Sequence, residues 1–287
     1  MIKAIISDQI DDDPDIAFPI IAKAGIKYVE LHNINQKTIE TLNEQEVLKL
    51  QAQLKQYHLK VINLATTIFF MCPLKPDYQI SLFNPGFHCI SGNADEHLKA
   101  LEQACKIAIK LDCQTIRVFP FRYPDNDKYQ IVGDVDDMEL IAEKLKQACA
   151  IASKYQRTLV LENCPYSHCP KGEMTYTLWK MVNCDNLKLL WDPANSYRAQ
   201  KDQVPPHYLS KNLTQERELI KDAIGHVHLK NYHYDKNFDK PFLHTALNEG
   251  DIDFKALIKG INNPLSLEAE VDLDKTIASL TYLKEFL

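Results

Sequence analysis

The segment GHVHLK, residues 225–230, alternates polar and apolar side chains over the length of one strand. Side chains along a strand point to opposite faces in turn, so Val227 and Leu229 share one face, and His226, His228 and Lys230 share the other. Working backward, residues 187–192 (LKLLWD) and 157–162 (RTLVLE) are short apolar runs that end on an acid. Working forward, residues 265–270 (LSLEAE) repeat the pattern. Helix-periodic segments near residues 174–182, 214–222 and 253–261 separate these strands, and residues 273–285 close the chain as a helix.

The first half keeps the same rhythm. Strands are expected at residues 3–8, 27–32, 59–65 and 114–119, with helices near 14–24, 44–57, 94–111 and 135–155. Strands alternating with helices imply parallel pairing. Eight such units in 287 residues fit an α/β fold of the (β/α)8 TIM-barrel type. A doubly wound open sheet is the rival, but the first turn, Asp8-Gln9-Ile10-Asp11, lacks the glycines that such a fold carries there. No Gly-, Ser- or Pro-rich linker divides the chain, so residues 1–287 are read as a single domain.

Composition narrows the function. Hydrophobic residues make up 45% and charged residues 25% of the chain, enough apolar surface to offset the entropy of ordering. The formal charge is −6 and no Lys/Arg run occurs, which argues against nucleic acid as a partner. No apolar stretch reaches the roughly 20 residues of a membrane span, so no membrane partner is expected. The eight cysteines and the absence of a signal-like N-terminus suggest reduced thiols and a cytoplasmic location.

In a parallel barrel, chemistry sits at the C-terminal ends of the strands. Four successive strand ends here offer Glu162, Asp192, His228 and Glu268. Three carboxylates in one mouth repel and raise one another's pKa, and a single divalent cation removes that cost. Mixed oxygen and nitrogen donors suit Mn²⁺, Mg²⁺, Co²⁺ or Zn²⁺. The plainer alternative is four separate strand-end residues satisfied by loop amides or helix N-termini. Glu270 competes with Glu268 as a ligand, because both share the inward parity. Glu30 and His32 end strand two, where Glu30 either contacts substrate or makes a buried pair with a neighbouring strand. Arg117 and Arg122 flank the end of strand four, and Arg122 is either an anion clamp or a loop brace. Cys164 through Cys169, with His168, has no usual metal-ligand spacing. Long loops at residues 66–93, 193–213 and 231–250 should build the pocket. Their aromatics, Phe69, Phe70, Phe83, Phe87, Tyr197, Tyr208, Tyr232 and Tyr234, either wall a ligand, pack against each other or meet a second subunit.

The segments LVLEN (159–163), LWDPANS (190–196), GHVHLKN (225–231), LNEGDIDF (247–254) and LSLE (265–268) together resemble the xylose isomerase-like barrel superfamily of sugar-phosphate isomerases and epimerases, to which AP endonucleases are related. The resemblance implies that Glu162, Asp192, His228 and Glu268 bind one divalent metal. It further implies that Glu162 and Glu268 form an acid/base pair on opposite faces of a sugar, exchanging a proton next to its carbonyl. Lys230, His244 and Asn195 would contact the substrate, a small sugar or sugar phosphate, with Arg122 added on its own reading as an anion clamp, and a homodimer is expected by the same likeness. The chain departs from the family where Cys164 and Asn195 replace common histidines and Asn248 replaces a glycine. The missing histidines and the acidic charge disfavour an AP endonuclease. A dehydratase or lyase acting on a cyclic polyol or hydroxy acid is the main alternative, and a non-catalytic binding barrel is less favoured.

Overall fold

The computed structural model describes residues 1–82, 84, 86–126, 132–199 and 204–286. Phe83, one of the loop aromatics named above, lies outside the described residues.

Eight parallel strands close into a barrel. They are β1 (Lys3–Ile6), β2 (Tyr28–Leu31), β3 (Lys60–Ile68), β4 (Thr115–Val118), β5 (Thr158–Glu162), β6 (Leu187–Trp191), β7 (Ile224–Leu229) and β8 (Leu265–Leu267). Each pairs with its sequence neighbour, and β8 closes onto β1 with Leu265 opposite Lys3. The helices are α1 (Pro14–Lys23), α2 (Glu44–Gln56), α3 (Ala94–Lys110), α4 (Val135–Lys154), α5 (Gly172–Val182), α6 (Pro193–Arg198), α7 (Leu213–Ile220), α8 (Phe254–Leu257) and α9 (Leu273–Lys284). The expected (β/α)8 architecture is therefore the observed one.

Local sequence sets the helix starts. Asn43 with Glu46, Asn93 with Glu96 and Asn212 with Gln215 form capping boxes that satisfy the free amides of α2, α3 and α7. Asp13 caps α1 and Pro14 supplies its first turn. Asn183, in the left-handed conformation at φ 50°, ends α5.

The strand parity places the core. Leu159, Leu161, Val227, Leu229, Leu265 and Leu267 pack outward into the apolar layer beneath the helices. That layer also takes Leu101, Ala104 and Cys105 of α3 and Ile141, Leu145 and Cys149 of α4. The alternate residues face the lumen: His226 and His228 of β7 reach Glu30 on β2, a strand that β7 does not adjoin.

Several boundaries differ from the sequence expectation. β3 runs on to Ile68 rather than ending at residue 65. Thr66 and Thr67 extend it because their hydroxyls find partners, the Arg117 carbonyl and the Glu40 carboxylate, which an apolar pattern does not register. β8 stops at Leu267, not residue 270, and Glu270 takes a left-handed φ of 50°. The helix expected over 253–261 is the single turn of α8. Residues 193–213 were expected as loop but contain α6, started by Pro193 and capped by the Asp192 side chain. Residues 231–250 contain an antiparallel ribbon, Asn231–Tyr234 against Phe242–Thr245. All eight cysteines are free thiols. No helix among the described residues is long and apolar enough to cross a membrane.

Candidate active site

At the C-terminal mouth, one donor atom each from Glu162, Asp192, His228 and Glu268 lies within 4.8 Å of the others. The His228 Nδ1 atom faces Glu162 Oε1 at 3.3 Å and Glu268 Oε2 at 3.4 Å. Glu162, Asp192 and His228 are buried, and the Glu268 side chain is 12% exposed, so the cluster opens only toward the mouth.

Each member is held from behind. The opposite imidazole nitrogen of His228, Nε2, lies 3.2 Å from Glu30 Oε2. Glu30 also meets His226 Nε2 at 2.5 Å and accepts from the Asn63 amide at 2.8 Å. Of the two sequence readings of Glu30, the structure places it in the buried pair. The Asp192 Oδ1 atom accepts the backbone N–H of Asn195 at 2.8 Å as the cap of α6. Asn163 fixes the same turn: its amide donates to the carbonyls of Asp192 and Pro170 and to Ser196 Oγ, and its oxygen accepts the Asp192 N–H.

Two cations balance the carboxylates. Arg117, 3% exposed, donates to Glu162 Oε2 at 3.0 Å and lies 3.5 Å from Glu268 Oε1. The rest of its guanidinium is spent on the carbonyls of Ala65 and Thr66 of β3. Lys230 donates to Glu268 Oε2 at 2.8 Å and lies 3.1 Å from Asp192 Oδ2 and 3.6 Å from Glu270 Oε1. Glu270 therefore sits behind Lys230, outside the four-donor set: β8 ends three residues before it, at Leu267, and the Glu270 backbone turns left-handed.

These contacts set protonation. Burial pushes the Asp192 carboxyl up to about 6, against the pull of Lys230. Burial likewise takes Glu270 to about 7. For Glu268 burial also acts upward, but Lys230, His228 and Arg117 outweigh it and hold the carboxyl well below its usual range. His226 and His228 do the same for Glu30. Burial works against charge on His228, yet Glu30, Glu162 and Glu268 raise it well above an ordinary imidazole.

The other expected site residues divide. Lys230 joins the cluster. His244, on the ribbon, lies at its edge: its Nδ1 is 3.1 Å from Glu270 Oε2 and its ring packs edge-on to Tyr232. Burial lowers the His244 pKa to about 4. Asn195 donates its amide to the Asn163 carbonyl at 2.9 Å and is 3% exposed, so it braces the α6 turn. Arg122 donates to the Ser81 and Tyr166 carbonyls and braces the β3 and β5 loops. Arg117 bridges two of the four donors; its place on a β4 run of alternating parity, TIRV, was the available signal. Arg198, at the end of α6, donates to the hydroxyls of Tyr166 and Tyr232, and no local sequence signal marks it because its segment reads as loop. The aromatics Phe70, Phe87 and Phe119 pack together beside Arg117, whose guanidinium carbon is 4.8 Å from the Phe119 ring centre.

The profile of a family described as Xylose isomerase-like TIM barrel matches residues 18–286. The chain belongs to that family. No curated protein matches it by sequence. Among solved structures, this xylose isomerase-like barrel is similar to the probable 3-DHS dehydratase AsbF, involved in petrobactin synthesis, from Bacillus anthracis: TM-score 0.69, 15% identity, 99% of each chain covered. It is similar to the D-allulose 3-epimerase from Methylomonas sp. in complex with D-allulose, at TM-score 0.69 and 14% identity over 100% of this chain and 97% of that one. It is also similar to the IOLI protein with a bound zinc atom, at TM-score 0.66 and 14% identity over 99% of this chain and 96% of that one. At such identities the likeness to these xylose isomerase-like barrels establishes the fold.

Proposed function

We propose that the protein is a divalent-metal-dependent isomerase or epimerase of a small sugar or sugar phosphate. The observation that carries this reading is the convergence of Glu162, Asp192, His228 and Glu268 within 4.8 Å at the barrel mouth. A cation fits these residues. His228 Nδ1 and Asp192 Oδ2 make no aligned hydrogen bond, and their neighbours are other charged groups of the mouth: Glu162 and Glu268 at 3.3 and 3.4 Å from the first, Lys230 at 3.1 Å from the second. Three carboxylates and an imidazole packed this closely repel or must take up protons, and a divalent cation among them relieves both costs. The mixed oxygen and nitrogen set suits Mn²⁺, Co²⁺, Zn²⁺ or Mg²⁺. When bound, the ion supplies electrophilic polarisation of a substrate carbonyl and its neighbouring hydroxyl.

The chain's own residues supply the rest. Glu162 and Glu268 come from strand ends on different sides of the mouth, and Arg117 holds one oxygen of each. One carboxylate takes the proton from the carbon beside the carbonyl and the other returns it, on the same carbon for epimerisation or its neighbour for isomerisation. Lys230 keeps Glu268 ionised and reaches toward the substrate's oxygens. The packed aromatics Phe70, Phe87 and Phe119 shield that side of the mouth from water. A dehydratase begins with the same proton abstraction, and the similarity to a 3-DHS dehydratase supports that second reading. A cytoplasmic place in carbohydrate metabolism accords with the eight free thiols.

The test is solvent exchange. Metal-loaded protein, incubated in D₂O with a panel of ketoses, sugar phosphates and cyclic polyol ketones, should exchange one carbon-bound hydrogen, read by NMR. Glu162→Gln and Glu268→Gln should each slow exchange at least a hundredfold. Exchange at wild-type rate in both variants would contradict the acid/base assignment.

A further inference from the structure

The cations around the mouth differ in one respect. Arg117 is paired with Glu162 and Glu268. Lys230 is shared by Asp192, Glu268 and Glu270. Arg122 is spent on loop carbonyls, with Asp125 at 4.0 Å. Arg198 has no carboxylate within 4 Å among the described residues; its guanidinium donates to Tyr166 Oη at 2.5 Å and to Tyr232 Oη at 3.4 Å. It also stands 5.2 and 5.7 Å from the centres of the same two rings. Burial keeps the Tyr232 phenol neutral, with a pKa pushed up to about 12, so it supplies no counter-charge.

Position gives this cation a task. Arg198 ends α6, six residues after Asp192. Tyr166 follows Glu162 by four residues, and Tyr232 follows Lys230 by two. The three side chains thus come from the loops after β5, β6 and β7, the strands that deliver Glu162, Asp192 and His228. Two tyrosines fix the plane of the guanidinium, while among the described residues only these two hydroxyls accept from its five N–H groups. A pre-oriented planar fork with no carboxylate within 4 Å among the described residues, only the longer-range pull of Glu270, matches the paired oxygens of a phosphate or carboxylate.

We propose that Arg198 binds an oxyanion group of the substrate and makes this barrel selective for acidic sugars or hydroxy acids over neutral ones. The inference rests on the mouth being the substrate site, and it moves the anion contact expected of Arg122 to the loop after β6. The shared chemistry is an oxyanion; the probes separate phosphate from carboxylate.

Metal-free protein is titrated at constant ionic strength with glycerol 3-phosphate, glycerate and, as the uncharged control, glycerol, by calorimetry and by thermal shift. At least one anion should bind and raise the melting temperature where glycerol does not, and the tighter of the two identifies the group. Arg198→Gln should weaken that binding at least tenfold, and Arg198→Lys, which keeps the charge but not the planar fork, should recover only part of it; both variants should keep the wild-type melting temperature in the absence of ligand, which guards against a folding defect. Equal binding by wild type and Arg198→Gln, or anions that act no differently from glycerol, would overturn the proposal. Mn²⁺ uptake is followed in parallel. If wild type takes up no metal while the Arg198 effect persists, the anion site stands and the isomerase reading falls.

Discussion

Glu30 holds two histidines at once, and its position explains why His228 turns Nδ1 toward Glu162 and Glu268. With Nε2 tied to Glu30, Nδ1 is left to face Glu162 and Glu268. A carboxylate behind a ligating imidazole fixes both ring orientation and basicity, and its loss typically costs 10- to 100-fold in metal affinity. Glu30→Gln is therefore expected to weaken Mn²⁺ or Zn²⁺ binding by about that factor in calorimetric titration, with the fold retained; unchanged affinity would remove Glu30 from the metal account. The convergence of Glu162, Asp192 and His228 was legible in sequence because each lies near the end of a strand whose parity can be counted, whereas Glu268 and Glu270 share a parity and only the strand's length separates them. Glu30 was left between two readings, since nothing local says that β2 and β7 face each other across the lumen. Asn195 and Arg122 show the converse: their residue types suit substrate, but backbone groups nearer to hand claim them.

At the scale of elements, the turn after β5 depends on Asn163, which satisfies four groups of the β5 and β6 loops. Asn163→Ala would leave several of them buried without partners and should destabilise the protein by about 3 kcal/mol in urea unfolding. Gly172 opens α5 against the Trp191 ring, and a Cβ there would sit 2.7 Å from it, so Gly172→Ala forces the two apart. The end of β3 carries an acid-sensitive contact. His97 of α3 accepts the Phe69 N–H at 2.9 Å, and Phe69 has a left-handed φ of 66°. Burial lowers the His97 pKa from the usual 6.5 to about 4. The unfolded chain therefore binds the extra proton first, and stability present above pH 6.5 is lost as pH falls toward 4. The full effect is about 3 kcal/mol at 1.36 kcal/mol per pH unit. His97→Gln should be less stable than wild type at pH 7 and lose less on acidification to pH 4.5, measured by urea titration at both pH values; equal losses would contradict this assignment. Boundaries proved harder to read than elements. β3 is lengthened by threonines bonded to distant strands, and α6 is made by a cap, Asp192, that the sequence also marks as a ligand.

At the scale of the molecule, the closed barrel brings residues from opposite ends of the sequence together, as in the contact between Glu30 and His228. Fold and mouth were legible because eight repeats of one rhythm leave few architectures. The pairing of charges inside the mouth was not, since Arg117 and Lys230 each meet carboxylates from two or more strands or loops. A metal that ties strands β5 to β8 together should also stabilise the whole barrel. Free Mn²⁺ or Zn²⁺ at a hundred times its dissociation constant contributes about 2.7 kcal/mol. That should raise the melting temperature by roughly 5 °C or more in scanning calorimetry.

The most direct measurement is metal content by mass spectrometry on protein purified without chelator, wild type beside Glu268→Gln. The account predicts about one divalent ion per wild-type chain, lost or sharply reduced in the variant. A wild-type protein that is metal-free and takes up no Mn²⁺, Co²⁺ or Zn²⁺ on addition would contradict it.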